Sequence, residues 1–189
     1  MDKSALREIY KKKRNELTSD ERREASKKIA LNLGAKWDFN QKTISCFLPI
    51  QRLNEVNTAP LMQQLGIKNN LCAPVADFSN TTMIHRLIDD ATLIKHNDWS
   101  IPEPTNGTIV RPEVLDVVIV PLLISDKKGY RVGYGKGFYD RFLSQCNKSC
   151  LFIGINYFEP ISVITGTHKN DIALHFTVTP SSIIEHEST

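Results

Sequence analysis

The sequence predicts an α/β fold: a single three-layer domain with a mixed, largely parallel sheet flanked by helices and led by an N-terminal helical pair. Three observations predict it. Helical periodicity fills residues 1–34, with apolar side chains returning every three or four positions. Short apolar runs then alternate with helical stretches over residues 42–180, the pattern of a parallel sheet. One run, Asp116 to Pro121 (DVVIVP), is continuously apolar, as a strand covered on both faces should be. Residues 181–189 are expected to be a flexible tail on a domain spanning 1–189.

Each element has a local cause. Leu6, Ile9, Tyr10 and Leu17 form the apolar stripe of a helix over residues 3–16. Lys3, Arg7, Lys11 and Arg14 make a second stripe about 80° wide beside it. A basic stripe alone reads as a solvated face, or as a clamp leaning over an anion. Thr18 to Glu21 is a capping box that starts a second helix, ending near Gly34. Thr43 to Leu48 is a strand. Asn57 or Thr58 caps a helix through about Leu65, with Pro60 in its first turn. Leu71 to Val75 and Met83 to Ile88 are strands. Residues 89–112 are rich in Pro, Asn, Asp and Gly and read as a long irregular connection. After DVVIVP come a polar turn (Ser125 to Gly129), a glycine loop, a helix from Phe138 to Cys146, and strands at Leu151 to Ile155 and Phe176 to Thr179.

Composition narrows the function classes. With 41% hydrophobic and 24% charged residues in 189, the chain can bury a core. The four cysteines show neither metal-ligand spacing nor a CxxC pair, so they read as thiols of a reducing compartment. A charged N-terminus and no long apolar run give the expectation of a cytoplasmic protein with no membrane contact. The net charge of +3 is uneven: residues 1–36 hold 11 Lys and Arg against 6 Asp and Glu. The positive excess therefore sits in the N-terminal segment and points to an anionic partner there.

The segment RVGYGKGFYDRF, Arg131 to Phe142, follows a buried strand and opens a helix, the position where open α/β sheets bind ligands. Glycines at 133, 135 and 137 can turn successive amides toward an anion, helped by the following helix, while Arg131 and Lys136 supply charge. Neither the Walker spacing nor the dinucleotide fingerprint fits, because Gly137 follows the lysine and only Lys136 separates Gly135 from Gly137. A structural turn is the plain alternative.

The longer stretch GYRVGYGKGFYDRFL resembles the signature of the 5-formyltetrahydrofolate cyclo-ligase family. Other pieces match in order: Lys3 and Arg7; Pro49 through Glu55 to Thr58; Ile101 to Pro104; His168 and Asp171; and Thr177 to Pro180. The chain departs from the family at Phe138, where many members carry Tyr, at Asn57, where Asp is usual, and at Tyr134, where Gly or Arg is common.

The resemblance implies an enzyme that uses ATP and Mg2+ to turn 5-formyltetrahydrofolate into 5,10-methenyltetrahydrofolate. It implies ATP contacts at Lys3, Arg7, Arg131, Val132, Gly133, Tyr134, Gly135, Lys136, Gly137, Phe138 and Tyr139. Folate contacts fall at Ile50, Glu55, Tyr134, Gly135, Lys136, Gly137 and Phe138, with catalytic weight on Lys136, Arg131 and Glu55. Asp140 and Asp171 match the metal positions; alone, Asp140 would be a first-turn helix acid and Asp171 an ordinary loop acid. The expected partners are small molecules bound by a monomer. Two rival classes remain: a relative that binds nucleotide or folate without turnover, and a nucleic-acid binder using the basic helix. Intact Arg131, Lys136, Asp140 and Glu55 speak against the first. The basic helix lacks interleaved aromatics beyond Tyr10, which speaks against the second.

Overall fold

The computed structural model describes residues 1–187. Eight strands form one sheet in the order β12-β11-β10-β7-β1-β2-β3-β6. These are β1 (Thr43–Cys46), β2 (Asn70–Asp77), β3 (Thr82–Ile88), β6 (Ile109–Val110), β7 (Val117–Pro121), β10 (Leu151–Ile155), β11 (Phe176–Val178) and β12 (Ile183–Glu185). The five central strands β11, β10, β7, β1 and β2 run parallel, and β12, β3 and β6 pair antiparallel at the edges.

β7 shows why the sheet is covered on both faces. Val117 and Ile119 enter one core with Ile29 and Leu33 of α2 (Ser19–Lys36) and Leu61 and Leu65 of α3 (Ala59–Gly66). Val118 and Val120 enter the opposite core with Phe142 and Leu143 of α4 (Phe138–Leu143). Both sets are buried, so a continuous apolar run is what this strand needs. Helix α1 (Lys3–Glu16) packs on neither of these cores. Its Leu6 and Tyr10 close a third core over Leu123, Ile124 and Val132. Those residues belong to or adjoin a small hairpin, β8 (Ile124–Ser125) with β9 (Arg131–Val132), that follows the carboxyl end of β7.

Several expectations need correction. Helix α2 passes through Gly34 to Lys36, because that glycine is a point of close approach and not a stop. A side chain there would meet the Gln64 amide of α3. Residues 89–112 are less irregular than their composition suggests. β4 (Ile94–His96) pairs with β5 (Pro102–Pro104), and β6 adds an edge to the main sheet. Helix α4 ends at Leu143, three residues before Cys146. Residues 181–189 are not simply a tail: Ile183–Glu185 form β12 against β11, while 188–189 lie outside the described residues.

Candidate active site

The loops at the carboxyl ends of β1 and β7 and the exposed end of α1 converge. Met1 and Asp2 tie to Thr165, which sets the start of α1 beside the 165–171 loop. Asp2 caps the helix by accepting from the Ala5 amide at 2.8 Å. The first basic residue, Lys3, then places its ammonium 2.5 Å from the Asp171 carboxylate. One turn on, Arg7 donates from Nε to the Gly133 carbonyl at 2.9 Å. Its guanidinium lies against Gly135, where an added Cβ would sit 3.1 Å away. Gly135 and Gly137 have φ of 87° and 69°, so both need the left-handed conformation. Gly133 does not; it faces open space. Of the three glycines able to turn amides toward an anion, two use the left-handed conformation.

Within the loop, Lys136 is exposed and its ammonium makes no hydrogen bond or ion pair among the described residues. Arg131 and Val132 are buried in β9. The Arg131 guanidinium donates to Asp140 at 2.7 Å and to the Ile172 carbonyl. Burial pulls Arg131 below its ordinary value, and Asp140 opposes that pull. Asp140 also accepts from the Ile172 amide, so both candidate metal carboxylates meet at one short segment, 171–172. Helix α4 has six residues, so its dipole is weak and the charge here comes from side chains.

Asp140 and Asp171 each commit one oxygen, Oδ1 and Oδ2 respectively. The other oxygen of each makes no hydrogen bond among the described residues. No group of three or more metal-ligating side chains exists among those residues. This donor set fits a magnesium ion completed by phosphate oxygens and water, as that ion is usually held. It does not fit an all-protein cage.

The second half of the site lies past β1. Glu55 is buried, 8% exposed, and its Oε2 accepts from the Ile50 amide at 2.8 Å. Burial pushes its carboxyl above the ordinary value, against the Ile50 amide, Arg14, Tyr134 and Arg52. Tyr134 stands beside Glu55 and accepts at its hydroxyl from Arg14 at 2.9 Å. Tyr139 packs against the α4-side core, yet the charges of both Glu55 and Arg131 reach its hydroxyl. Phe138 turns the other way and meets Phe78, ring centroids 5.2 Å apart, which in turn meets Trp99 at the same separation.

Sequence reasoning missed two side chains here. Arg14, the fourth member of the basic stripe, is 2% exposed. Its spacing from Arg7 put it on the right face, but nothing in a single helix says what that face will meet. Trp99 is exposed at the β4–β5 tip and is fastened by Arg52, which donates to its carbonyl. Its only signal was a tryptophan in a polar loop two residues before Ile101.

The 5-formyltetrahydrofolate cyclo-ligase family model matches residues 1–168. A 5-formyltetrahydrofolate cyclo-ligase of Mus musculus is 32% identical over 154 residues, 76% of this chain and 74% of that one. One from Mycoplasma genitalium is 31% identical over 160 residues, 83% and 86% of the two chains. Among solved structures, 5,10-methenyltetrahydrofolate synthetase of Aquifex aeolicus superposes with a TM-score of 0.83 at 29% identity, covering 100% of this chain and 95% of that one. The Mycoplasma pneumoniae synthetase gives a TM-score of 0.76 at 28% identity, covering 96% and 100%. Ordered motifs, sheet and relatives agree: this chain belongs to the 5-formyltetrahydrofolate cyclo-ligase family.

Proposed function

We propose that the chain acts as one catalytic domain, a cytoplasmic monomer that converts 5-formyltetrahydrofolate and ATP to 5,10-methenyltetrahydrofolate, ADP and phosphate. The observation that carries this reading is the packing of α1 on the loop: Arg7 rests on Gly135 and binds the Gly133 carbonyl. Arg7 thereby lies on the loop that carries Lys136, while Lys3 and Arg131 each pair with one of the two carboxylates. Among the described residues, no helix is long and apolar enough to cross a membrane.

The chemistry explains the residue types. A formyl amide oxygen is a poor leaving group. Its oxygen attacks the γ-phosphorus of ATP, the bond to ADP breaks, and the carbon becomes an electrophilic iminium phosphate. N10 attacks that carbon and gives up its proton; the carbon–oxygen bond then breaks, and phosphate leaves with the formyl oxygen. Such a transfer asks the protein for positioning and charge neutralisation. Lys3, Arg7 and Arg131 would hold the triphosphate with Val132 to Tyr139, and Lys136 would follow the transferring oxygens. Magnesium, held by Asp140, Asp171 and the phosphates, would offset the charge that builds up in transfer. To release Asp171, Lys3 would trade its carboxylate partner for a phosphate. Glu55 would accept from the donors of the pterin ring, with Ile50 against the ring and residues 134–138 between the ligands. Trp99, exposed beside Phe78 and Phe138, offers an aromatic face for the remainder of the substrate.

The test is an absorbance assay for the methenyl product. Product should form only with ATP, 5-formyltetrahydrofolate and magnesium together, with one ADP per methenyl group. Nucleotide binding or folate binding without product would leave the non-catalytic relative as the better reading.

A further inference from the structure

Arg14 is a buried cation whose direct partners are both neutral. One terminal nitrogen donates to the Leu122 carbonyl and the other to the Tyr134 hydroxyl, and Nε has no partner among the described residues. A cation taken out of water to this degree needs an opposing charge, or the fold would be better served by an apolar residue. The groups facing Glu55 show where that charge lies. They are Arg14 from α1, Arg52 from the turn Gln51–Leu53, Tyr134 from the loop, Tyr139 from α4 and the Ile50 amide. Tyr157, after β10, joins Arg14 and Glu55 in space: the Arg14 guanidinium lies over its ring, 5.9 Å from the centroid, and its hydroxyl donates to the Glu55 carbonyl at 2.8 Å. Arg52 is exposed, so Arg14 is the buried cation of this set. A cavity of about 80 Å³ opens between Arg14, Arg52, Leu53, Leu123 and Tyr134, so Arg14 and Tyr134 stay next to free space.

We propose that Arg14 is a positioning residue for folate recognition: it fixes the Tyr134 hydroxyl and the Tyr157 ring around Glu55 and balances the charge of that carboxylate, so that the carboxylate can accept from the substrate's ring. The inference rests on the folate role given to Glu55 above. It also gives Tyr134 a role, because its hydroxyl accepts from Arg14 at the edge of the same cavity.

The test is the dependence of kcat/KM for 5-formyltetrahydrofolate on pH, at saturating ATP, for Arg14→Met, Arg14→Lys, Tyr134→Phe and Glu55→Gln. A carboxylate acceptor works above its pKa and fails as pH falls through it. Losing Arg14 should move this acid limb to higher pH and raise KM for folate by about 10- to 100-fold, the range of a buried charge-assisted hydrogen bond. Arg14→Lys should recover part of the loss, and Tyr134→Phe should fall between. In a Glu55→Gln background, Arg14→Met should add less than about threefold. Tyr134→Phe removes a single hydroxyl, so it carries the test if Arg14→Met does not fold. A lower melting temperature with an unmoved acid limb and unchanged folate KM would overturn the proposal and make Arg14 structural. A Glu55→Gln enzyme with normal folate KM would overturn the role of Glu55 itself, and the proposal with it.

Discussion

Lys136 combines two properties that separate catalysis from stability. Its ammonium has no partner among the described residues, and its side chain stands exposed on a loop. Truncation to alanine therefore removes charge but no packing. Lys136→Ala should lower kcat by about 100-fold or more, in the range for losing one preorganised donor to a transferring group, with the melting temperature unchanged. Steady-state kinetics beside calorimetry checks this, and a large loss of stability with normal turnover would contradict it. Lys136, Arg131 and Glu55 could be named as candidates because an ordered motif names residues one by one. Arg14 was not. Periodicity assigns a residue to a face of a helix, whereas the burial of that face depends on the β8–β9 hairpin more than a hundred positions later.

The elements divide along the same line. β7 could be read as a two-faced strand because both of its faces are apolar and the run is unbroken. The capping box of α2 was equally readable: Thr18 accepts from the Glu21 amide and Glu21 accepts from the Thr18 amide. β4 and β5 were not, since all three β4 residues are exposed and carry no burial pattern to detect. β3 holds a side chain with a measurable consequence. His85 is fully buried against Phe142 of α4, ring centroids 4.0 Å apart, and neither ring nitrogen has a partner among the described residues. Burial pushes its pKa down to about 3. The unfolded chain takes up a proton near pH 6.5 and the folded one does not, so stability falls as pH drops below that value and levels off near pH 3. At pH 5 the loss is about 2 kcal/mol. His85→Leu should flatten this part of the pH–stability curve relative to the parent protein. Parallel curves for the two would show that His85 is solvated or partnered.

Taken whole, the molecule is a scaffold for bringing distant segments together. The parallel strands β1 and β7 lie side by side, so the turn holding Glu55 and the loop holding Lys136 leave the same edge of the sheet. Helix α1 packs on the hairpin after β7, and that one docking places Lys3, Arg7 and Arg14 against three different parts of the site. The basic N-terminal segment packs on this loop, and on the proposed function its charge would meet the triphosphate there. On the function proposed above, this arrangement would serve a single chemical act, activation of the formyl oxygen by phosphorylation. The most direct measurement is isotopic: turn over 5-formyltetrahydrofolate carrying 18O in the formyl group and analyse the released phosphate by mass spectrometry. Phosphate carrying one 18O per turnover is the expected result. Unlabelled phosphate, with the label lost to water, would mean that ATP hydrolysis and ring closure are separate events and would refute this role for the site.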